Sequence, residues 1–214
     1  DVCSSDLAAS YAEHHGILHL SQEGFRGGKG CHRQLTNLLH IIEDAALTHQ
    51  DMYLAFFDFK SAFNMVDHDR LLCIMYDLGF PTDLIDTVRG IYNGAVTHMT
   101  TKGLIGEPIT IERGTIQGDS LSPLLFLIFI EPLHRWLQSG GRGYKFGSIT
   151  DPITSDKCNT GSLGYADDTT AITHTLPDLK IQCQKVETYS KWAAIPLNPT
   201  KCEVTGILHK SFPN

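Results

Sequence analysis

The chain of 214 residues has no apolar run long enough to cross a bilayer, since the longest, residues 124–130, stops at Glu131-Pro132. It lacks any CxxC pair: Cys3, Cys31, Cys73, Cys158, Cys183 and Cys202 are scattered. That spacing excludes a disulfide frame or a common zinc site and reads as reduced intracellular thiols, so cytoplasm or nucleus is the expected compartment. Basic excess is missing too. A formal charge of -7 gives no general attraction for nucleic acid, although a local basic groove can operate on an acidic protein. No internal repeat is visible. With 42% hydrophobic residues there is ample material for a core, in one large domain or two closely packed subdomains.

What is present centres on Leu163-Gly164-Tyr165-Ala166-Asp167-Asp168-Thr169-Thr170-Ala171-Ile172. Two adjacent acids between short β-favouring arms predict a hairpin with the acids at or near its tip. Side-by-side carboxylates repel and lose hydration when partly buried, so they need a compensating charge. A hard divalent cation with oxygen ligands supplies it; an exposed acidic turn is the alternative for an isolated pair.

The rest of the chain alternates helical and strand patterns. A glycine-dense segment over residues 21–30 carries Arg26 and Lys29, but its spacing matches no P-loop and suits a solvated loop. His14, His15 and His19 precede it and read as solvated loop histidines. Leu35, Leu38, Leu39, Ile42, Ala45 and Ala46 recur at helical spacing, predicting a helix through about residue 48. Residues 52–59 read as an aromatic-rich strand in which Asp58 is unexpected unless partnered. A turn follows, then Asp67 as the N-cap of a helix over 68–78 that Gly79 stops.

A second helix is expected over 83–92, then strands at 96–101 and 109–112. Ser122 and Pro123 begin a helix that is apolar almost all round and therefore buried. Pro132 should kink or divide it. Gly140, Gly141, Gly143 and Gly147 open a long loop to the acidic hairpin. Leu179, Cys183, Val186, Ser190 and Ala193 mark one face of a further helix, which Pro196 and Asn198-Pro199 end before a strand over 201–208.

Five stretches in this order are Gln22-Glu23-Gly24-Phe25-Arg26, the block from Phe57-Asp58 to His68, residues 114–126, Tyr165 to Asp168, and Asn198 to Lys201. Together they resemble the reverse transcriptase domain of LINE-like (non-LTR) retrotransposons, over about residues 15–208. The resemblance implies an α+β fold, the palm of a right-hand polymerase, in which helices back an antiparallel sheet, with part of the fingers. It implies partial fingers over 8–50 and palm over 51–214, with the thumb absent. Residues 1–7, DVCSSDL, resemble a translated sequencing-library adapter and are set apart from the fold; native coding sequence for them at the genomic locus would overturn that exclusion.

The implied activity is RNA-directed DNA polymerisation, extending a DNA primer on an RNA template with deoxynucleoside triphosphates. In such in-line transfers two magnesium ions, about 3.5–4 Å apart, stabilise the attacking and leaving oxygens; manganese is an expected substitute. By resemblance Asp58, Asp167 and Asp168 are the metal ligands, with the Phe59 carbonyl as a further one. Arg26 grips the triphosphate, Phe63 is the steric gate beneath the sugar, Gln117 and Gly118 contact the nucleotide and template, and Lys201 protonates pyrophosphate. Core packing remains the alternative for Phe63, and a surface position for Lys201.

Asn64 stands where the family commonly has Asp, and Ser120 where proline is frequent. Neither is a metal ligand in the family. Motifs of an upstream fingers segment, a thumb, an endonuclease and a cysteine-rich module are not found in these residues, so processive synthesis by this chain alone is not expected. Two other readings stand beside the enzyme: a catalytically silent RNA-binding scaffold and a degenerate retroelement fragment.

Overall fold

The computed structural model describes residues 2–116, 118–146 and 159–209. The chain divides into two compact units. One combines residues 1–17 with 61–129, the other 18–60 with 130–214.

The second unit holds a four-stranded antiparallel sheet in the order β6-β7-β1-β8, formed by β1 (Met52–Phe57), β6 (Ser162–Tyr165), β7 (Asp168–Thr173) and β8 (Glu203–Ile207). Side chains alternate between faces along a strand. Met52 and Leu54 of β1 therefore join Leu163 and Ile172 in a core closed by Ile41 and Ala45 of α2 (Cys31–Thr48). Helix α6 (Leu176–Ala193) runs along β1 and β7 and buries Leu179, Val186, Tyr189 and Ala193. Thr175 caps it, accepting the Asp178 amide at 3.1 Å. Residues 21–23 lie against the outer edge of β6, where Gly164 N donates to Ser21 O at 2.8 Å and Glu23 N to Gly164 O at 3.0 Å.

The first unit contains α1 (Val2–His14), a 3-10 turn (Ala62–Met65), α3 (His68–Asp77), α4 (Thr82–Tyr92) and the exposed hairpin of β2 (Val96–Thr101) with β3 (Leu104–Thr110). Asp67 is the N-cap of α3: its Oδ1 accepts the Arg70 amide at 3.0 Å, while Oδ2 pairs with Arg70 at 3.0 Å and Arg113 at 3.3 Å. Gly79, at φ +82°, ends the helix in a conformation that suits glycine. Gly114 N donates to Val66 O and Thr115 N to Phe63 O, at 2.8 and 2.9 Å, so residues 114–115 brace the 3-10 turn.

Several sequence expectations need correction. The helix α5 (Ser122–Gln138) passes through Pro132 undivided. Proline removes one backbone bond there, at about 3 kcal/mol, but Phe126, Phe129, Ile130, Leu133 and Leu137 are fully buried around it and hold the helix together. Strand β3 begins at Leu104, because Lys102-Gly103 turn with positive φ immediately after β2. The glycine-rich stretch is not one open loop: β4 (Tyr144–Lys145) pairs with β5 (Asn159–Thr160), while Gly147 lies outside the described residues. Residues 2–14 form a helix, so His14, expected in a loop, is its last residue.

Removing the cap carboxylate in Asp67→Ala should cost about 1–2 kcal/mol in urea unfolding. An unchanged midpoint would show that solvent replaces the cap.

Candidate active site

The sheet register brings two of the acids together. Phe57 of β1 pairs with Thr169 of β7, so one antiparallel step further sets Asp58 opposite Asp168. Opposed residues project on the same face. Tyr165 pairs with Asp168 on the other side, which leaves Ala166 and Asp167 as a two-residue turn. Asp167 is half-buried and Asp168 exposed.

Asp58 follows directly on β1 and has its own partners. Asn198 Nδ2 donates to Oδ2 at 3.0 Å, and Lys201 Nζ lies 3.5 Å from Oδ1. Asn198 also fixes the main chain, its N–H donating to Asp58 O at 2.8 Å. The sharp turn Asn198 to Lys201 is thereby folded back onto the end of β1. Partial desolvation of the carboxyl by its neighbours, then the charges of Asp167 and Asp58, push Asp168 above its usual range, and Lys201 opposes them. Among the described residues no three His, Cys, Asp or Glu side chains converge on one point as a ready-made metal cage. The donor set still fits a hard divalent cation: oxygen ligands only, and mutual repulsion felt at Asp168.

The hairpin turn is held from behind. Ala166 sits in the left-handed region at φ +57°, which costs a residue with a Cβ about 1–2 kcal/mol. The fully buried Gln22 accepts the Ala166 N–H at Oε1 (2.9 Å) and donates from Nε2 to the Ala166 carbonyl (3.0 Å). Next to it the fully buried His134 of α5 approaches Gln22 Nε2 at 3.4 Å and the hydroxyls of Ser21 and Ser162 at 3.3 Å. A Cβ at Gly164 would collide with its imidazole. Burial, with a smaller contribution from His19, pushes His134 down to about 3. Glu131, one turn earlier, accepts from His19 N at 2.9 Å and from Arg135 Nε at 2.7 Å; burial raises its carboxyl and those bonds oppose the rise.

The other expected site residues lie as follows. Arg26 is buried, and its Nη1 donates to the carbonyls of His19 (2.7 Å) and Gln22 (2.8 Å). Phe63 stacks on Phe126 at 4.3 Å within the first unit. Gly118, also of that unit, adopts φ +88°. Gln117 lies outside the described residues. His19 is not a solvated loop residue: its Nδ1 lies 2.9 Å from Ser21 Oγ, and burial lowers its pKa.

Sequence reasoning did not single out Gln22, Asn198 or His134. The first two were visible as amides inside the quoted motifs, and the third as a lone imidazole in an otherwise apolar helix, a position that demands partners.

An antiparallel sheet backed by helices, with acids at the paired ends of its central strands, is the palm of a right-hand polymerase. The chain matches the family described as reverse transcriptase (RNA-dependent DNA polymerase) over residues 6–208. It belongs to that family, as a reverse transcriptase domain of the LINE-like kind. It is 25% identical over 202 residues to a retrovirus-related Pol polyprotein from the type-1 retrotransposable element R2 of Nasonia vitripennis, covering 94% of this chain and 19% of that protein. The corresponding R2DM polyprotein of Drosophila melanogaster is 27% identical over 186 residues, covering 87% of this chain and 17% of that protein. The RNA-directed DNA polymerase from the Drosophila melanogaster mobile element jockey is 26% identical over 190 residues, covering 85% and 19%.

The chain thus spans less than a fifth of the length of these relatives. Among solved structures, telomerase from Candida tropicalis with a TWJ fragment of telomeric RNA shares the fold at a TM-score of 0.68 and 13% identity, covering 94% of this chain and 32% of that one. Among the described residues no helix is long and apolar enough to cross a membrane.

His134 makes stability depend on pH in a definite sense. The unfolded chain binds a proton near the ordinary value of 6.5 while the folded chain does not until about 3. Its contribution is therefore complete above 6.5 and lost as pH falls, by about 1.4 kcal/mol per unit. Glu131 works in the opposite sense, so the comparison with His134→Gln isolates the imidazole. Urea unfolding between pH 7 and 4.5 should show a shallower loss in the variant; parallel curves would contradict the assignment.

Proposed function

We propose that this chain is the catalytic core of an RNA-directed DNA polymerase, adding deoxynucleotides to a DNA primer on an RNA template. The observation that carries the reading is the register of β1 and β7, which sets Asp58 opposite Asp168 with Asp167 in the adjoining turn. Three acids grouped in this way at the end of a sheet have no use in packing, since each raises the cost of the others.

Asp58, Asp167 and Asp168 would hold two divalent ions, magnesium or in its place manganese. When bound, these ions neutralise charge on the primer hydroxyl and the triphosphate. Asp58 would then exchange its contact with Lys201, whose Nζ is exposed enough to swing toward a departing pyrophosphate as a proton donor. Asn198 keeps the Asp58 carboxylate oriented through that exchange, because it holds the other oxygen and the main chain. Phe63 remains our candidate for the sugar gate. Its main chain is fixed by Thr115 and its ring by Phe126, which gives the rigidity that steric exclusion requires. Gln117 and Gly118 would adjoin the nucleotide and template. Arg26 remains our candidate for a triphosphate contact, and the two backbone carbonyls at Nη1 support a further role as brace of the Gln22 loop.

Primer extension by the full natural polypeptide tests the reading. Magnesium-dependent DNA synthesis on RNA should fall by at least about 100-fold in Asp168→Asn, the scale lost when a positioned charge leaves a reaction centre. RNA binding without extension in the wild type would support a silent scaffold instead. Phe63→Ala should relax discrimination against ribonucleotides by about tenfold, or about 1.4 kcal/mol; unchanged sugar selectivity would reduce Phe63 to a packing residue.

A further inference from the structure

The turn that carries Asp167 is unusual in what it lacks. Two-residue hairpin turns favour Asn or Gly where φ is positive, yet here that position is Ala166. Its geometry therefore needs support from elsewhere in the fold, and one side chain supplies it.

Gln22 treats Ala166 as a neighbouring strand would. Its Oε1 accepts the Ala166 N–H at 2.9 Å and its Nε2 donates to the Ala166 carbonyl at 3.0 Å. The same Oε1 accepts the Gly24 N–H at 2.8 Å, and Nε2 lies 3.4 Å from His134 Nε2. A primary amide has two acceptor sites and two donors, so every hydrogen-bonding capacity of Gln22 is used. The arrangement also fixes the His134 tautomer: Nε2 accepts, leaving the proton on Nδ1, beside the hydroxyls of Ser21 and Ser162.

A charged head group could not do this. Ala166 offers one donor and one acceptor, and an ionised Glu brings acceptors alone, while Lys brings donors alone. Asn has the right head but is one methylene short. The approach also depends on an absent side chain, because a Cβ at Gly24 would strike the Ala166 main chain. The main chain of Gln22 is itself anchored, with its carbonyl accepting from Arg26 Nη1 at 2.8 Å.

We propose that Gln22 is a positioning residue for the metal-binding acids: it sets the turn from which Asp167 and Asp168 present their carboxylates, without placing a charge of its own beside them. The inference rests on the function proposed above. Asp167 and Asp168 are the two residues that follow Ala166, so a change in the Ala166 dihedrals redirects both. A neutral clamp has a specific merit here. A cationic one would pair with the carboxylates in competition with metal, and an anionic one would add to their repulsion.

The test separates positioning from simple structural support. Gln34 is the control, since its Nε2 donates to Ser21 O at 2.6 Å and to Gly164 O at 2.8 Å, on the same strand edge but away from the turn. Gln22→Met, Gln22→Glu and Gln34→Met are made in the full natural polypeptide, with urea unfolding measured for each. Manganese binding is titrated by electron paramagnetic resonance without nucleotide or nucleic acid, and primer extension is measured against magnesium concentration.

Both Gln22 variants should bind manganese at least about tenfold more weakly, as loss of buried hydrogen bonds implies, and need correspondingly more magnesium for half-maximal extension. Gln34→Met should lose stability with manganese affinity unchanged. Should Gln22→Met or Gln22→Glu not fold, Gln22→Asn, which keeps the amide but falls short of Ala166, is expected to show the same weakening. Folded Gln22 variants with wild-type manganese affinity would overturn the inference while leaving the polymerase reading intact. A wild-type protein that neither binds manganese nor extends a primer would overturn that reading itself, and the inference with it.

Discussion

The antiparallel pairing of β1 with β7 is the constraint on which the site depends. One step past Phe57 and Thr169 it opposes Asp58 to Asp168, residues far apart in sequence. A slip of one residue would turn one of them to the other face. The slip is prevented by the core, because Met52 and Leu54 must meet Ile172 and the α2 side chains on the buried face. The hydrophobic pattern of an eight-residue segment thus decides where a carboxylate lands.

Around that pairing the fold separates two tasks. One limb, Asn198 with Lys201, holds Asp58 from the C-terminal side. The other, Gln22 with His134 behind it, holds the hairpin turn. Both clamps use neutral amides at the closest contacts. On the proposed reading this leaves the acids open to an incoming cation, and Lys201 sits 3.5 Å from Asp58 on an exposed side chain that can leave. The buried polar network of Ser21, Gln22, His134 and Ser162 is satisfied internally, which is the condition for such a network to rigidify a site.

Much of this was legible in the sequence because it is local. The Asp67 cap, the stop at Gly79, strand β2 and the acidic hairpin follow from short-range signals. The misreadings came where distant packing outweighs local preference. Pro132 would break an isolated helix, but burial of Phe126, Phe129 and Leu133 carries α5 through it. Strand β3 contains Gly106 and Pro108, both poor strand residues, and forms because Lys102-Gly103 turns the chain back on β2. Arg26 was legible as a cation in a glycine-rich motif, whereas its carbonyl partners emerge from the folded loop alone. Gln22 was in plain view, but nothing in the chain before folding says that it faces Ala166.

The most direct measurement is a crystal structure of the natural polypeptide soaked in manganese, with the metal located by its anomalous scattering. Anomalous density is expected between the Asp58 and Asp168 carboxylates, Asp167 adjoining, with Lys201 displaced from Asp58 and Gln22 still bonded to Ala166. Manganese bound elsewhere, with Asp58 still held by Lys201, would contradict the proposed reading.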